Sequence, residues 1–143
     1  MSLFHKTQET PALSAGEAVI AILFLTVTAD GNIAPAEEEL VIAASNRMQL
    51  LRALTIADFN AAVLRIRDAI DASGREAVFA AAVKGAPVDL SATIYALAAD
   101  IVYAAGGSDP AEVEFLAKIQ SSLAIPAELT AKIIEVMQIK NRG

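Results

Sequence analysis

The sequence predicts an all-α, single-domain bundle of about seven helices, and three observations carry that expectation. Hydrophobic residues make up 55% of the 143, yet aromatic ones only 5%, so much of the apolar content is alanine, a strong helix former. No stretch alternates with period two for long enough to be a strand, and 7 glycines and 5 prolines leave few interruptions. The third observation is an internal repeat at an offset of 75 positions, which pairs Ala29 with Ala104, Gly31 with Gly106, Pro35 with Pro110, Glu37 with Glu112 and Glu39 with Glu114. Two buried helices, each followed by a tight turn and an acidic amphipathic helix, predict a pseudo-twofold bundle with two central apolar helices wrapped by amphipathic ones.

Residues 1–13 read as an N-terminal tail, 14–139 as the helical domain and 140–143 as a C-terminal tail. The first helix starts at Ser14, where Ser14-Ala15-Gly16-Glu17 has the spacing of a capping box. Its body, Val19 to Leu25, is apolar on every side, as in a helix surrounded by protein. Gly31 is its C-terminal stop. A second helix opens at Pro35, carries Glu37, Glu38 and Glu39 in its first turn, and shows one apolar stripe of Leu40, Ala44, Met48 and Leu51.

The third helix begins near Thr55, with Asp58 spaced to reach back to the cap, and repeats Phe59, Val63, Ile66 and Ile70 on one face. Ser73-Gly74 breaks it. Arg75 to Lys84 forms a short fourth helix that Gly85-Ala86-Pro87 ends. The fifth, about Asp89 to Ala105, is nearly apolar all round, with Asp100 as its interior charge. The sixth runs from Pro110 to about Leu123 with Phe115, Leu116, Ile119 and Leu123 inward, and the seventh from Leu129 to Ile139 with Ile133, Ile134 and Met137 inward.

Composition narrows the function classes. A net charge of -6 opposes binding to nucleic-acid phosphates, and the arginines and lysines are scattered without a basic patch. Mean hydropathy is high at +0.50, but the best candidate span, Ala18 to Ala29, is only about a dozen residues where a membrane helix needs roughly 20. It therefore reads as a core helix. The absence of cysteine removes disulfides, thiolate nucleophiles and sulfur-ligated metals, and fits a cytoplasmic protein. The single histidine, His5, lies in the tail without companions, and no Gly-rich phosphate loop occurs, so nothing in the chain has the pattern of a catalytic site.

The doubled turn resembles the motif of the TerB family, the tellurite-resistance protein B-like domains of bacteria. Their pattern, Ala-Asp-Gly-x-(Ile/Val)-x-x-x-Glu after an apolar helix, is matched by Ala29-Asp30-Gly31-Asn32-Ile33-Ala34-Pro35-Ala36-Glu37. The second copy is similar in Asp100, Ala104, Gly106, Pro110, Glu112, Phe115 and Leu116, with Ala105 in place of the motif aspartate. The resemblance spans roughly 14–139. It implies an all-α bundle, a non-enzymatic cytosolic role in the response to tellurite and related stress, a membrane-associated protein partner, and metal binding at the acidic positions.

Two readings of those carboxylates stand side by side. In one, Asp30, Glu37, Asp100, Asp109 and Glu112 form a hard-cation site shared between the copies, and an all-carboxylate set favours calcium, magnesium or manganese over zinc. An EF-hand fails on ligand count, because Thr26 and Thr28 hold its first and third positions. In the other, the carboxylates cap helices. One copy has Asp30 with Ala34 and the other Ala105 with Asp109, as expected if one acceptor suffices per turn, and first-turn glutamates complement the helix dipole. The alternative function is then a helical adaptor or self-association module that binds a partner or a second copy through an apolar face. Asp30 poses one further question: a negative charge at the carboxyl end of a helix is unfavourable, so something has to offset it.

Overall fold

The structure, a computed structural model, describes residues 12–31, 41–42, 46, 48–107 and 109–142. The tail with His5 and the segment 32–40, which holds Pro35, Glu37, Glu38, Glu39 and Leu40, lie outside the described residues, as do Ala44 and Gly143. Among the described residues there are seven α-helices and no strand: α1 (Ala15–Val27), α2 (Gln49–Arg52), α3 (Ile56–Ser73), α4 (Arg75–Gly85), α5 (Ser91–Ala104), α6 (Pro110–Ser122) and α7 (Ala127–Lys140). A 3-10 turn, Val88–Leu90, leads into α5.

Helix α1 is the core. Ser14 and Glu17 form the capping box that the spacing predicts: the Ser14 hydroxyl accepts from the Glu17 amide at 3.2 Å, and Glu17 accepts from the Ser14 amide at 3.1 Å. From Ala18 to Thr28 every residue is buried, which accounts for the absence of a polar face. Helices α3, α4, α5 and α6 all pack against it. Helix α5 buries Ile94, Tyr95, Ala98, Ala99, Ile101 and Val102, and α7 packs along it. Removing one of these large side chains, as in Leu23→Ala, costs about 2–5 kcal/mol, because the surrounding helices close the space only in part.

The start signals at the other ends also hold. Thr55 and Asp58 make a second reciprocal capping box on α3, and Asp109 caps α6 by accepting from the Ala111 amide at 2.9 Å. The start of the second predicted helix, at Pro35, lies outside the described residues, but its single stripe to Leu51 is interrupted. Val41 and Ile42 are helical, but Met48 has extended backbone (φ -101, ψ 123) and α2 is a separate single turn beyond it. Met48 and Leu51 are nonetheless both buried, so each reaches the core from its own segment instead of along one stripe. A stripe drawn at helical spacing cannot register a break that leaves both side chains inside.

Among the described residues no single helix is long and apolar enough to cross a membrane; α4 and Val88–Ala104 reach the length together, but meet at 104°.

Candidate functional site

The carboxyl end of α1 is built from its own threonines and from one arginine of α4. Thr26 and Thr28, both buried, turn their hydroxyls back onto the carbonyls of Ile22 and Phe24 at 2.7 and 2.8 Å. This is the local bonding by which a threonine satisfies itself inside a helix. Gly31 then takes φ +86, a conformation that favours glycine, and its amide bonds the Thr28 carbonyl at 2.9 Å. The last-turn carbonyls of a helix lack intrahelical donors. Arg75 supplies one, donating from Nη2 to the Leu25 carbonyl at 2.8 Å and from Nη1 to the Thr28 hydroxyl at 2.9 Å.

Arg75 also answers the question of Asp30. The guanidinium is half-buried; burial lowers its pKa from the ordinary arginine value, and the Asp30 carboxylate opposes that shift by Coulomb attraction. A cation at the carboxyl end of α1 thus meets both the helix dipole and the exposed aspartate. Arg75 is the first residue of α4, where the dipole of its own helix disfavours a positive charge. That mismatch was its only trace in the sequence, and nothing local said which helix it would serve.

The equivalent end of α5 closes differently. Ala105 is the C-cap, the Gly106 amide bonds the Tyr103 carbonyl at 3.2 Å and the Gly107 amide the Val102 carbonyl at 2.9 Å, the pair of bonds of a Schellman closure. Gly106 and Gly107 have φ +113 and +70. Gly107 is needed for space as well as conformation, since a Cβ there would stand 2.5 Å from the Tyr103 ring.

The predicted carboxylates fall in several neighbourhoods. Asp30 is exposed beside Arg75. Asp100 is half-buried and accepts from Lys140 Nζ and Asn141 Nδ2 of the α7 end, both at 3.0 Å. Asp109 is the cap of α6, and Glu112, in the first turn of that helix, is buried at 7% exposure. Glu37 lies outside the described residues. Among the described residues no group of three acidic or histidine side chains converges as a metal ion would need.

A groove of about 450 Å³ lies where the end of α1 faces α4 and α6, within the volume range of small-ligand clefts. Its α6 wall is the face formed by Ala111, Glu114, Phe115 and Lys118, and opposite stand Leu25, Ala29, Arg75, Glu76 and Phe79. Phe79 and Phe115 meet edge to face with centroids 5.2 Å apart. The Lys118 ammonium lies 5.1 Å from the Phe79 centroid and bonds Glu76 Oε1 at 2.7 Å, which lowers the Glu76 pKa. The sequence pointed to the two turns. The groove uses Ala29 from the first turn and Ala111 and Glu114 from the helix after the second, so it joins the repeat halves through residues other than the predicted ligands. Comparison with known family models, curated proteins and solved structures finds no match.

Proposed function

We propose that this chain is a non-enzymatic, TerB-like helical module associated with the response to tellurite and related stress, and that it works by binding a protein partner at the groove between the α1 turn and α6. The resemblance rests on Ala29-Asp30-Gly31 through Glu37 and its second, altered copy. The observation that carries the binding reading is the groove itself: about 450 Å³, lined by an aromatic pair and by charged side chains from α4 and α6. Asp30 borders this region and is exposed, so a calcium, magnesium or manganese ion held at Asp30 would sit at the same end of the molecule.

Complementation tests the reading. In a strain lacking the protein, the parent chain is expected to restore growth on tellurite, while Ala111→Trp, which fills the groove from the exposed side of α6, is expected to fold normally and fail to restore it. Full rescue by a folded Ala111→Trp protein would remove the groove from the function. No growth defect in the deletion strain would remove the stress association.

A purely structural adaptor is the second reading, and the capping geometry favours it: Asp109 is engaged with the Ala111 amide and Asp30 is offset by Arg75. Calorimetric titration of metal-free protein with calcium, magnesium and manganese separates the two where the cation is concerned. Heat that disappears in Asp30→Asn supports an ion at the turn; no heat at millimolar metal leaves the turn to capping.

A further inference from the structure

Resting on the binding reading above, we infer that the groove takes a basic side chain, an arginine or lysine on a peptide segment of the partner, and that Lys118 is its internal stand-in. The first ground is the charge inventory of the groove. Arg75 is committed to the carboxyl end of α1 through Leu25 and Thr28, and Lys118 is committed to Glu76. Among the described residues Glu114 is the charged lining group without a hydrogen bond or ion pair. The lining carries two cations and two carboxylates, and with Asp30 outside it set against Arg75, the carboxylate left without a cation is Glu114.

The second ground is what Lys118 already does there. Its ammonium sits over the Phe79 ring at 5.1 Å while bonded to Glu76 at 2.7 Å, so the groove already holds one cation between an aromatic face and a carboxylate. The aromatic quadrupole and the carboxylate both favour such a guest. Lys118 is the end of a flexible chain with 37% of its surface exposed, and can swing out when a partner's cation takes its place. Phe115, packed edge to face on Phe79, and the small Ala29 and Ala111 leave room for the alkyl stem of the incoming side chain. The third ground acts at long range: a net charge of -6 steers basic partners toward the chain and acidic ones away.

Two-dimensional NMR of the full chain, titrated in parallel with N-acetyl-arginine amide, N-acetyl-glutamate amide and inorganic phosphate, tests the assignment. The arginine probe is expected to shift signals of Ala29, Phe79, Ala111 and Phe115 saturably, weakened by added salt, while the two anions leave them in place. Lys118→Ala is expected to bind the arginine probe about two- to fivefold more tightly, the factor that an exposed cation–π contact is worth. Glu114→Gln is expected to bind it more weakly. Groove shifts with an anion and none with arginine overturn this inference and leave the groove as a binding site. The inference is overturned along with the groove reading if no probe shifts those signals in the parent or in Lys118→Ala. Weaker binding by Lys118→Ala, in a protein whose circular dichroism is unchanged, would show that Lys118 is part of the receptor and not its stand-in.

Discussion

The turn after α1 and the turn after α5 share residues at an offset of 75 positions and are held by different means. Leu25 and Asp100 are equivalent positions, 75 residues apart. At the first, Arg75 donates to the backbone carbonyl of Leu25; at the second, Lys140 donates to the side chain of Asp100. In both copies a cation from a distant helix meets negative charge near the carboxyl end of an apolar helix, as the dipole requires. The first copy adds an exposed aspartate and closes without a Schellman pair. The second has alanine in place of the aspartate, closes with two consecutive glycines, and moves its carboxylate to Asp109, the cap of the next helix. What the two ends have in common is a balance of charge at a helix end, supplied by different residues in each.

Substitutions at the glycines break this comparison most strongly. Gly107→Ala meets both a positive φ and the Tyr103 ring, and should cost about 2–4 kcal/mol. Gly31→Ala meets open space and pays for conformation alone, about 1–2 kcal/mol. Urea denaturation of the two variants should rank them in that order, and equal losses would mean that the Tyr103 packing is not as tight as it stands here. The aspartates come next. Asp109→Ala removes a side-chain cap and should cost about 1 kcal/mol. Asp30→Asn, at an exposed position, should stay within about 0.5 kcal/mol of the parent in metal-free buffer.

The smallest expected effect lies at the opposite end of α1. Glu17 has its pKa lowered by the Ser14 backbone hydrogen bond first and by Arg65 second, whose Nε donates to it at 2.8 Å. A carboxylate depressed in the folded state contributes stability that is fully present above its unfolded pKa, about 4.3. That contribution is lost as pH falls through the lower folded value. The parent should therefore lose stability below about pH 4.3 more steeply than Glu17→Gln. Parallel acid titrations of the two proteins check this, and superimposable curves would refute it.

Much of the fold is legible because its signals are local. The Ser14–Glu17 and Thr55–Asp58 boxes, the Asp109 cap and the glycine stops each lie within a few residues of the helix end they mark. The unbroken apolar run of α1 is legible because a helix enclosed on all sides needs no polar face. The break at Met48 is not, since Met48 and Leu51 are buried whether or not one helix joins them. The groove is illegible for a different reason. Arg75 reaches α1 across 47 and 50 positions, and Lys118 reaches Glu76 across 42. Only the packing of α4 and α6 against α1 makes those residues neighbours. Asp30 stood out because its charge looked unfavourable where it was; its partner is a residue that is equally out of place at the start of its own helix.

The first turn is closed from within by a partly buried arginine, whereas the second closes on its own glycines and adds an exposed lysine to Asp100. Urea denaturation of Arg75→Met and Lys140→Met, side by side and in the presence of a chelator, tests it most directly. Arg75→Met, which strips the Leu25 carbonyl of a charged donor, should lose about 2–3 kcal/mol, and Lys140→Met less than about 1 kcal/mol. Equal losses, or a larger one at Lys140, would contradict it.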